Sequence, residues 1–245
     1  AFIYAVMAVT LVLVSVAAVL IGSMTIPVSS LIAIVQETVG FQPSQPLPEG
    51  YDGHRYVMVH LRFPRALFAI LIGAGISVAG AMMQGLFRNP LADPGLLGVS
   101  SGAALGAAAV IVLGLSLPWF SPLTLPIAAF VGGVIATVVV MKLSLRGGKA
   151  SVANMLLAGI AINAVCGAAT GLLVYMSDDE QLRTLTFWTM GSVGGATWAN
   201  LPYVCAFAFA PALVALPLSR SLNALLLGES EALLLGVNVE RLKKT

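Results

Sequence analysis

The chain has 245 residues, of which 59% are hydrophobic and only 9% are charged, and its net charge is +2. Soluble domains carry about a quarter charged residues, so this composition excludes an ordinary globular protein. Several apolar segments reach the ~20 residues needed to cross a hydrocarbon core of ~30 Å, which predicts an all-α polytopic membrane protein.

Six membrane-spanning helices are predicted within a single transmembrane domain that covers residues 1–245. The spans are expected at residues 3–22, 64–87, 95–114, 122–142, 152–175 and 199–219. The first span is not expected to be a cleaved signal peptide, because it lacks a basic leader and further spans follow it. Since the sequence opens without methionine, we expect its N-terminus to be trimmed.

Three segments outside the spans are predicted to lie along the membrane. Residues 23–63 form a long outer loop with an apolar piece too short to cross, which indicates an interfacial helix. Residues 181–198 are amphipathic and predict a short re-entrant or surface helix, a backbone tolerated only against protein or a water-filled path. Residues 222–241 have helical periodicity and predict two short cytoplasmic helices separated by a glycine. From its residues alone, this last segment is equally an interfacial helix and a docking surface for a soluble partner.

The distribution of basic residues predicts the orientation, because cytoplasmic loops are enriched in lysine and arginine. With a cytoplasmic N-terminus, eight of the twelve basic residues lie inside and four lie outside. The inside set is Arg88, Lys142, Arg146, Lys149, Arg220, Arg241, Lys243 and Lys244, and the outside set is Arg55, Arg62, Arg65 and Arg183.

Small residues are dense in residues 73–81, 100–109 and 131–137. Lipid offers no hydrophobic drive between helices, so close packing through small residues is expected to hold the bundle together. Such a bundle fits a transporter or a channel and equally an assembly scaffold. The two cysteines, Cys166 and Cys205, are interpreted as small buried hydrophobic residues and not as a disulfide or metal pair.

The predicted spans contain no charged residue and no histidine in their interior. Proton- and sodium-coupled transporters usually need such residues near the midplane, and an intramembrane protease would need paired acids or an HExxH helix. The segment "RGGKAS" at 146–151 lacks the spacing of a phosphate-binding loop and is interpreted as a basic cytoplasmic turn. Energy for transport is therefore expected from outside this chain.

Four segments carry a resemblance to a known family, and they follow one another along almost the whole chain. They are "LRFPRALFAILIGAGISVAGAMMQGLFRNPLADPGLLGVSSGAALG", "LLAGIAIN", "FWTMGSVGGATW" and "LGESEALLLGV". The chain resembles the permeases of ATP-binding-cassette (ABC) importers for iron chelates and cobalamin, and it looks closest to the haem-import branch. The resemblance implies the bundle of a type II ABC importer permease.

The resemblance also implies partners and a location. Permeases of this family have ten spans, form homodimers in the bacterial inner membrane, and bind two ATPase subunits inside and a substrate-binding protein outside. ATP and Mg would be bound by the ATPase partner, so this chain is expected to bind no cofactor or metal and to be a transport subunit, not an enzyme. The family's last four spans have no counterpart here, and six spans alone are not expected to transport.

The family's docking motif RxPR matches Arg62 and Arg65, which the resemblance assigns to pairing with glutamates of the binding protein. Such charge-assisted pairs fix orientation and speed encounter more than they add affinity. The alternative is two arginines that extend from a helix end toward water.

The family's two cytoplasmic constrictions match Asn89 and Leu91 in "NPLA", and Val152 and Ala153 before the fifth span. The second pair departs from the hydroxyl residues of the cobalamin members toward an apolar closure, which can seal by dewetting. The ATPase-coupling helices of the family match residues 222–241. Their recurring positions correspond to Gly228, Glu229, Ala232, Leu235 and Gly236.

Three side chains of the outer loop, His54, Tyr56 and His60, are candidates for transient contact with haem, although a loop histidine is more often simply solvated. Three functions remain open at this point. They are import of haem or another iron chelate, import of a ferric siderophore or cobalamin on the same fold, and a non-transporting membrane scaffold or passive channel.

Overall fold

The computed structural model describes residues 2–42, 47–115, 123–146 and 149–244, and nearly all of its regular structure is helical. The all-α fold class predicted from the sequence is confirmed. Short strands β1 (Leu145–Arg146) and β2 (Lys149–Ala150) pair in antiparallel fashion. They flank residues 147–148 of the predicted basic turn, which lie outside the described residues.

The α-helices follow one another along the chain as follows. They are α1 (Phe2–Leu20), α2 (Val28–Val39), α3 (Tyr51–Tyr56), α4 (Phe63–Phe87), α5 (Val99–Leu113), α6 (Thr124–Ser144), α7 (Val152–Met176), α8 (Asp179–Met190), α9 (Leu201–Leu226), α10 (Glu229–Leu234) and α11 (Val239–Lys244). A π-helical turn, Val57–Arg62, joins α3 to α4, and a 3-10 turn, Pro94–Leu97, precedes α5.

Within the described ranges, five helical stretches are long and apolar enough to cross a membrane. They are Phe2–Leu20, Tyr51–Phe87, Thr124–Ser144, Val152–Met176 and Leu201–Leu226. The third predicted span corresponds to α5, which has 15 residues and a length of about 22 Å at 1.5 Å per residue. That is shorter than a hydrocarbon core of ~30 Å, so the count of six spans stays a prediction.

Several helix ends differ from the prediction. The helical stretch that contains the second predicted span begins at Tyr51 and not near Pro64. Helix α3 continues into α4 through the π-helical turn, whose shifted hydrogen-bond register accommodates the missing N–H of Pro64. Helix α8 ends at Met190, since Gly191 adopts a φ of 76°. Helix α9 continues to Leu226 with two internal prolines.

The first of two units comprises Ala1–Gly75 and Val193–Ala210. Its core, the N-terminal cluster, joins α2 to α3 and to the π-helical turn. This cluster consists of the buried residues Ala33, Ile34, Tyr51 and Met58. The predicted outer loop therefore contains a small packed helical hairpin.

The second unit comprises Ile76–Ser192 and Pro211–Thr245. Helices α5 and α6 approach so closely that a Cβ atom at Gly102 would lie 2.5 Å from the Gly132 carbonyl oxygen. A Cβ atom at Gly106 would lie 2.3 Å from the Ala128 carbonyl oxygen. The small residues predicted to permit close helix packing do so between these two helices.

Two apolar clusters complete the second unit. The loop cluster consists of Phe87, Ala92, Leu97, Val140 and Met155. The C-terminal cluster consists of Leu225, Ala232, Val239 and Leu242. Leu86, in the last turn of α4, packs against both clusters and so connects them.

Helix α8 is positioned by its own first turn. The Asp178 side chain accepts a hydrogen bond from the Gln181 N–H at 2.8 Å, and the Gln181 side chain accepts one from the Asp178 N–H at 3.2 Å. This reciprocal capping box begins the helix at Asp179, within the acidic residues 178–180. The Gln181 side chain also donates to the Val112 carbonyl at 3.2 Å, which ties α8 to α5.

Candidate functional site

Residues 88–98, the 88–98 loop, connect α4 to α5 and contain the first predicted constriction. Arg88 has a φ of 51°, a left-handed conformation that ends α4. The Asn89 Oδ1 atom accepts a hydrogen bond from the Leu91 N–H at 2.9 Å, forming a local turn that asparagine favours. This turn presents Leu91 at the tip of the loop, where 84% of the residue is exposed.

The second half of the 88–98 loop is held against the protein. The Asp93 Oδ1 atom accepts a hydrogen bond from the Gly95 N–H at 2.7 Å and caps the 3-10 turn. Ala92 and Leu97 are buried in the loop cluster on either side of this cap. The loop is therefore an ordered connection with an exposed tip.

Helix α7 contacts the 3-10 turn through hydrogen bonds and through close backbone packing. The Asn163 Nδ2 atom donates to the Gly95 carbonyl at 3.2 Å, and its Oδ1 atom accepts from the Ser101 hydroxyl at 2.5 Å. One turn earlier, a Cβ atom at Gly159 would lie 1.9 Å from the Leu96 carbonyl oxygen. Any side chain at Gly159 would therefore displace the turn.

Sequence reasoning did not single out Gly159 and Asn163 as site residues, although both lie in the quoted motif "LLAGIAIN". A signal was present, because a glycine and an asparagine four residues apart share one face of an apolar helix. Small and amide side chains on such a face are typical of contacts between membrane helices.

The second predicted constriction lies at the start of α7. Val152 is half-buried and packs against the loop cluster, which includes Ala92 and Leu97. Ala153, by contrast, is exposed. Val152 of the second predicted constriction therefore packs on the same cluster as the loop that carries the first. Leu91 and Ala153 remain exposed.

The predicted coupling residues surround α10. Gly228 precedes the helix with a φ of 123°, and Gly236 follows it with a φ of 81°, conformations that favour glycine. Ala232 is fully buried in the C-terminal cluster, whereas Leu235 is 63% exposed. The segment therefore has one face fixed to α9 and α11 and an exposed apolar residue at its C-terminal end.

An ion pair connects the two predicted sites. The Arg88 Nη2 atom lies 3.9 Å from the Glu229 Oε1 atom, and each side chain is 40% exposed. Arg88 begins the 88–98 loop, and Glu229 begins α10. The first constriction and the coupling segment are therefore adjacent, which their separation in sequence does not reveal.

A groove of about 520 Å³ borders the first residues of the 88–98 loop and is lined by residues 78–90 and 215–226. Its wall is mainly apolar. The polar residues that line it are Gln84, Arg88, Asn89, Ser219 and Asn223. The start of the loop thus borders open space, while its second half packs on α7.

Arg62, predicted as a docking residue, is turned inward. Its guanidinium donates to the carbonyls of Val19 at 3.0 Å and Leu20 at 2.8 Å, and also to the Met24 carbonyl. Only 7% of the residue is exposed. Arg62 is buried because its donors satisfy carbonyls at the C-terminal end of α1 that have no partner within the helix, and its docking role stays a prediction.

Arg65, the second predicted docking residue, is exposed. Its Nη2 atom donates to the Gly194 carbonyl at 3.3 Å, and nearby the Trp198 indole N–H donates to the Val59 carbonyl at 2.8 Å. Within the first unit, the first bond joins the RxPR motif to residues 193–198, and the second joins the π-helical turn to the same residues. Arg65 therefore presents its charge beside a glycine-rich loop.

The three candidate haem contacts separate into two environments. His54 is buried, and its Nδ1 atom lies 2.9 Å from the hydroxyl of the fully buried Ser30. His54 therefore packs inside the helical hairpin, and its transient contact with haem stays a prediction. Tyr56 and His60 are both exposed, with ring centroids 4.9 Å apart and an interplanar angle of 31°.

A polar cluster between α2 and α3 was missed by the sequence reading. The Glu37 carboxylate accepts hydrogen bonds from the Tyr51 hydroxyl at 2.7 Å and from the Arg55 Nε atom at 2.8 Å. These two donors, the tyrosine first, lower the pKa of Glu37 below its ordinary value. The charged form of Glu37 therefore ties the two helices together.

Comparisons with known proteins agree with this architecture. The model of the FecCD transport family matches residues 10–245. The hemin transport system permease protein of Yersinia pestis is 47% identical over 193 residues, covering 78% of this chain and 58% of that relative. The cobalamin import system permease protein of Halobacterium salinarum is 38% identical over 184 residues, covering 75% of this chain and 48% of the relative.

A solved structure is similar as well. It is an inward-facing conformation of a metal-chelate type ABC transporter, 31% identical, with a TM-score of 0.71 and coverage of 88% of this chain and 68% of that one. The chain itself spans between 48% and 58% of the length of the two curated relatives.

Proposed function

Since the chain belongs to the FecCD transport family, we propose that it is the permease part of an ATP-driven importer that moves haem or a related iron chelate into the cytoplasm. The observation that carries this proposal is the family match, which runs over residues 10–245. The haem cargo is supported by the 47% identity to a hemin permease. Transport proceeds by alternating access, a two-state switch between inward- and outward-open arrangements.

The same family membership supports a proposal for the assembly. Two copies form a homodimer in the bacterial inner membrane, two ATPase subunits bind on the cytoplasmic side, and a substrate-binding protein delivers cargo from outside. The basic-residue distribution supports a cytoplasmic N-terminus, with eight of twelve basic residues inside. ATP and Mg are held by the ATPase partner, so this subunit catalyses no hydrolysis itself.

The cytoplasmic gate is formed by the tip of the 88–98 loop and the start of α7. Leu91 is exposed in the single chain and is therefore available to meet its counterpart in a second copy. Asn89 shapes the turn that presents Leu91. Val152 and Ala153 form a second apolar constriction at the start of α7, and such constrictions close by excluding water.

The outer surface receives the binding protein through Arg65. Its exposed guanidinium is free to approach a carboxylate while one of its nitrogens stays on the Gly194 carbonyl. Arg62 supports this surface from within by fixing the end of α1. The exposed Tyr56 and His60 pair contacts haem transiently, whereas His54 belongs to the packed hairpin.

The alternative cargo is cobalamin or a ferric siderophore on the same fold, and the 38% identity to a cobalamin permease supports the cobalamin assignment less strongly than the 47% identity supports haem. A non-transporting scaffold or passive channel is the alternative from another class. The two importer functions require an ATPase and differ in cargo, whereas a scaffold or passive channel requires no ATPase.

The experiment reconstitutes the full-length protein in vesicles with its ATPase subunit and a haem-binding protein. We expect haem uptake that requires ATP and is not competed by excess cobalamin or ferric siderophore. An ATPase variant unable to hydrolyse ATP serves as the control and is expected to abolish uptake. Uptake of cobalamin in place of haem reassigns the cargo, and a failure to stimulate the ATPase supports the scaffold.

A further inference from the structure

Arg88 occupies a backbone position that usually belongs to glycine. The Asn89 N–H donates to the Gln84 carbonyl at 3.1 Å and the Arg88 N–H donates to the Gly85 carbonyl at 3.3 Å. These two bonds are the pattern that ends a helix with a left-handed residue, for which glycine has no Cβ penalty. Among the residues that the structure describes, Arg88 is the one non-glycine residue with a positive φ.

A strained residue is retained where its side chain is needed. The guanidinium of Arg88 reaches the Glu229 carboxylate, 3.9 Å away, at the first residue of α10. Glycine would form the same turn without strain but would leave Glu229 without this contact. The strain and the ion pair together indicate that the side chain of Arg88 serves the connection to α10.

We propose that Arg88 and Glu229 form a coupling pair, which keeps the 88–98 loop in register with α10 so that movement of α10 moves the gate. This inference rests on the proposed function, because it assigns to the permease the residues that connect ATPase docking to gating. Both are positioning residues that act on the gate through the loop, and neither touches cargo.

An apolar contact runs parallel to the ion pair. Leu86 packs against the C-terminal cluster, which contains Ala232 of α10, and against the loop cluster, which contains Ala92. The apolar contact holds the two segments together at a fixed distance but leaves them able to slide, since such packing is not directional. The ion pair limits this sliding, because it joins one position on the loop to one position on α10.

Movement of the loop start is passed on to the rest of the loop. The second half of the loop is capped by Asp93 and held by Asn163 through the Gly95 carbonyl. Ala92 and Leu97 anchor the same half in the loop cluster. Because the second half of the loop is held in place, a shift of Arg88 is taken up mainly by the tip between them, where Leu91 lies.

The test uses the full-length transporter with its ATPase and binding protein. Arg88→Gly removes the ion pair and relieves the strain, while Arg88→Glu and Glu229→Arg each place like charges together. The double variant Arg88→Glu with Glu229→Arg restores the pair with its charges exchanged. The matched control is Arg220→Glu, which changes the net charge equally at an exposed position on the same predicted face of the membrane.

We expect cargo moved per ATP hydrolysed to fall about two- to fivefold in the single variants, the range of an exposed ion pair. The double variant should recover most of that loss, and Arg220→Glu should match the wild type. The thermal midpoint of Arg88→Gly should stay equal to or above that of the wild type, since glycine suits a positive φ. Equal coupling in Arg88→Gly and the wild type, or no recovery in the double variant, overturns the proposal.

A second measurement separates this inference from the proposed function. Hydrogen exchange of the purified protein, without ATPase or cargo, reports whether the loop amides at Leu91 and Gly95 lose protection in Glu229→Gln. Faster exchange at these amides supports the pair even in a protein that does not transport, and unchanged exchange overturns it. A wild-type protein that does not stimulate its ATPase instead overturns the proposed function.

Discussion

Arg62 and Arg65 stand three residues apart in one motif, yet their environments differ. The last carbonyls of α1 have no intrahelical partner, and the buried Arg62 supplies donors to two of them. A guanidinium is suited to this role because it carries five donors in a fixed fork. Arg65 lies outside this contact and keeps most of its donors for the surface.

The two arginines are expected to respond differently to substitution by alanine. Arg62→Ala removes the donors of part-buried hydrogen bonds at the end of α1 and should destabilise the protein by about 1–3 kcal/mol. Arg65→Ala should change stability by less than about 0.5 kcal/mol but weaken docking of the binding protein. Thermal unfolding and binding measurements on both variants check this, and a stable Arg62→Ala protein that has lost docking contradicts it.

Glu37 predicts a pH dependence at the residue scale. Hydrogen bonds from the Tyr51 hydroxyl and then from Arg55 lower the pKa of Glu37 in the folded protein. Its contribution to stability is therefore complete above the ordinary pKa of about 4.3 and is lost as the pH falls through the lowered folded value.

The comparison that isolates this effect is the difference in thermal midpoint between the wild type and Glu37→Gln. We expect the difference to be constant near neutral pH and to shrink as the pH falls through the lowered folded pKa of Glu37. The variant Glu49→Gln, whose carboxylate lies in the same predicted outer loop, is the control for net charge. A difference that does not change with pH would mean that the carboxylate's charge adds nothing.

At the scale of elements, α7 determines where the 88–98 loop sits. Gly159 brings the backbone of α7 against the Leu96 carbonyl, and Asn163 binds the Gly95 carbonyl from the next turn. In a membrane interior such close approach and interhelical hydrogen bonding replace the hydrophobic effect as the source of packing. The 3-10 turn is therefore fixed by α7 more than by its own sequence.

Substitution of two glycines in α7 tests this arrangement. Gly159→Ala forces the 3-10 turn away and should cost about 1–3 kcal/mol, as overpacking does. Gly167→Ala in the same helix has open space beside it and should be neutral or stabilising by up to about 1 kcal/mol. Thermal unfolding of the purified variants measures both, and equal midpoints would refute the contact.

At the scale of the whole molecule, the exposed tip of the 88–98 loop is explained by the proposed gate between two copies of the chain. Leu91 contributes nothing to the packing of the single chain, being 84% exposed. An exposed leucine on an ordered turn is suited to meet another copy of itself across a two-fold axis, where contacts are self-complementary.

The gate assignment predicts leakage when both tip residues are shortened. Asn89→Ala with Leu91→Ala removes the turn and the apolar side chain, so the full-length assembly should leak cargo from vesicles without ATP. The matched control is Leu143→Ala, which shortens another exposed leucine outside the loop and outside the coupling segment. Unchanged leakage and unchanged coupling would leave the loop as a simple turn between helices.

Much of the candidate site was predictable from local sequence. The turn at residues 88–98 follows from Asn-Pro and Asp-Pro, which disfavour helix at the residue before each proline. The prediction of two short helices separated by a glycine agrees with α10 and α11, between which Gly236 adopts a positive φ. The roles predicted for these segments came from the family resemblance alone.

The sequence by itself determined the membrane class and the all-α fold, because composition, periodicity and local turn chemistry act over a few residues. The family was indicated by the resemblance of four sequence segments. Only the tertiary structure decided the partners of individual side chains. Arg62 turns to α1 across 43 residues of sequence, and Asn163 reaches Gly95 across 68. Contacts at such separations depend on how helices pack, and no local pattern specifies which polar group a folded chain will bring into reach.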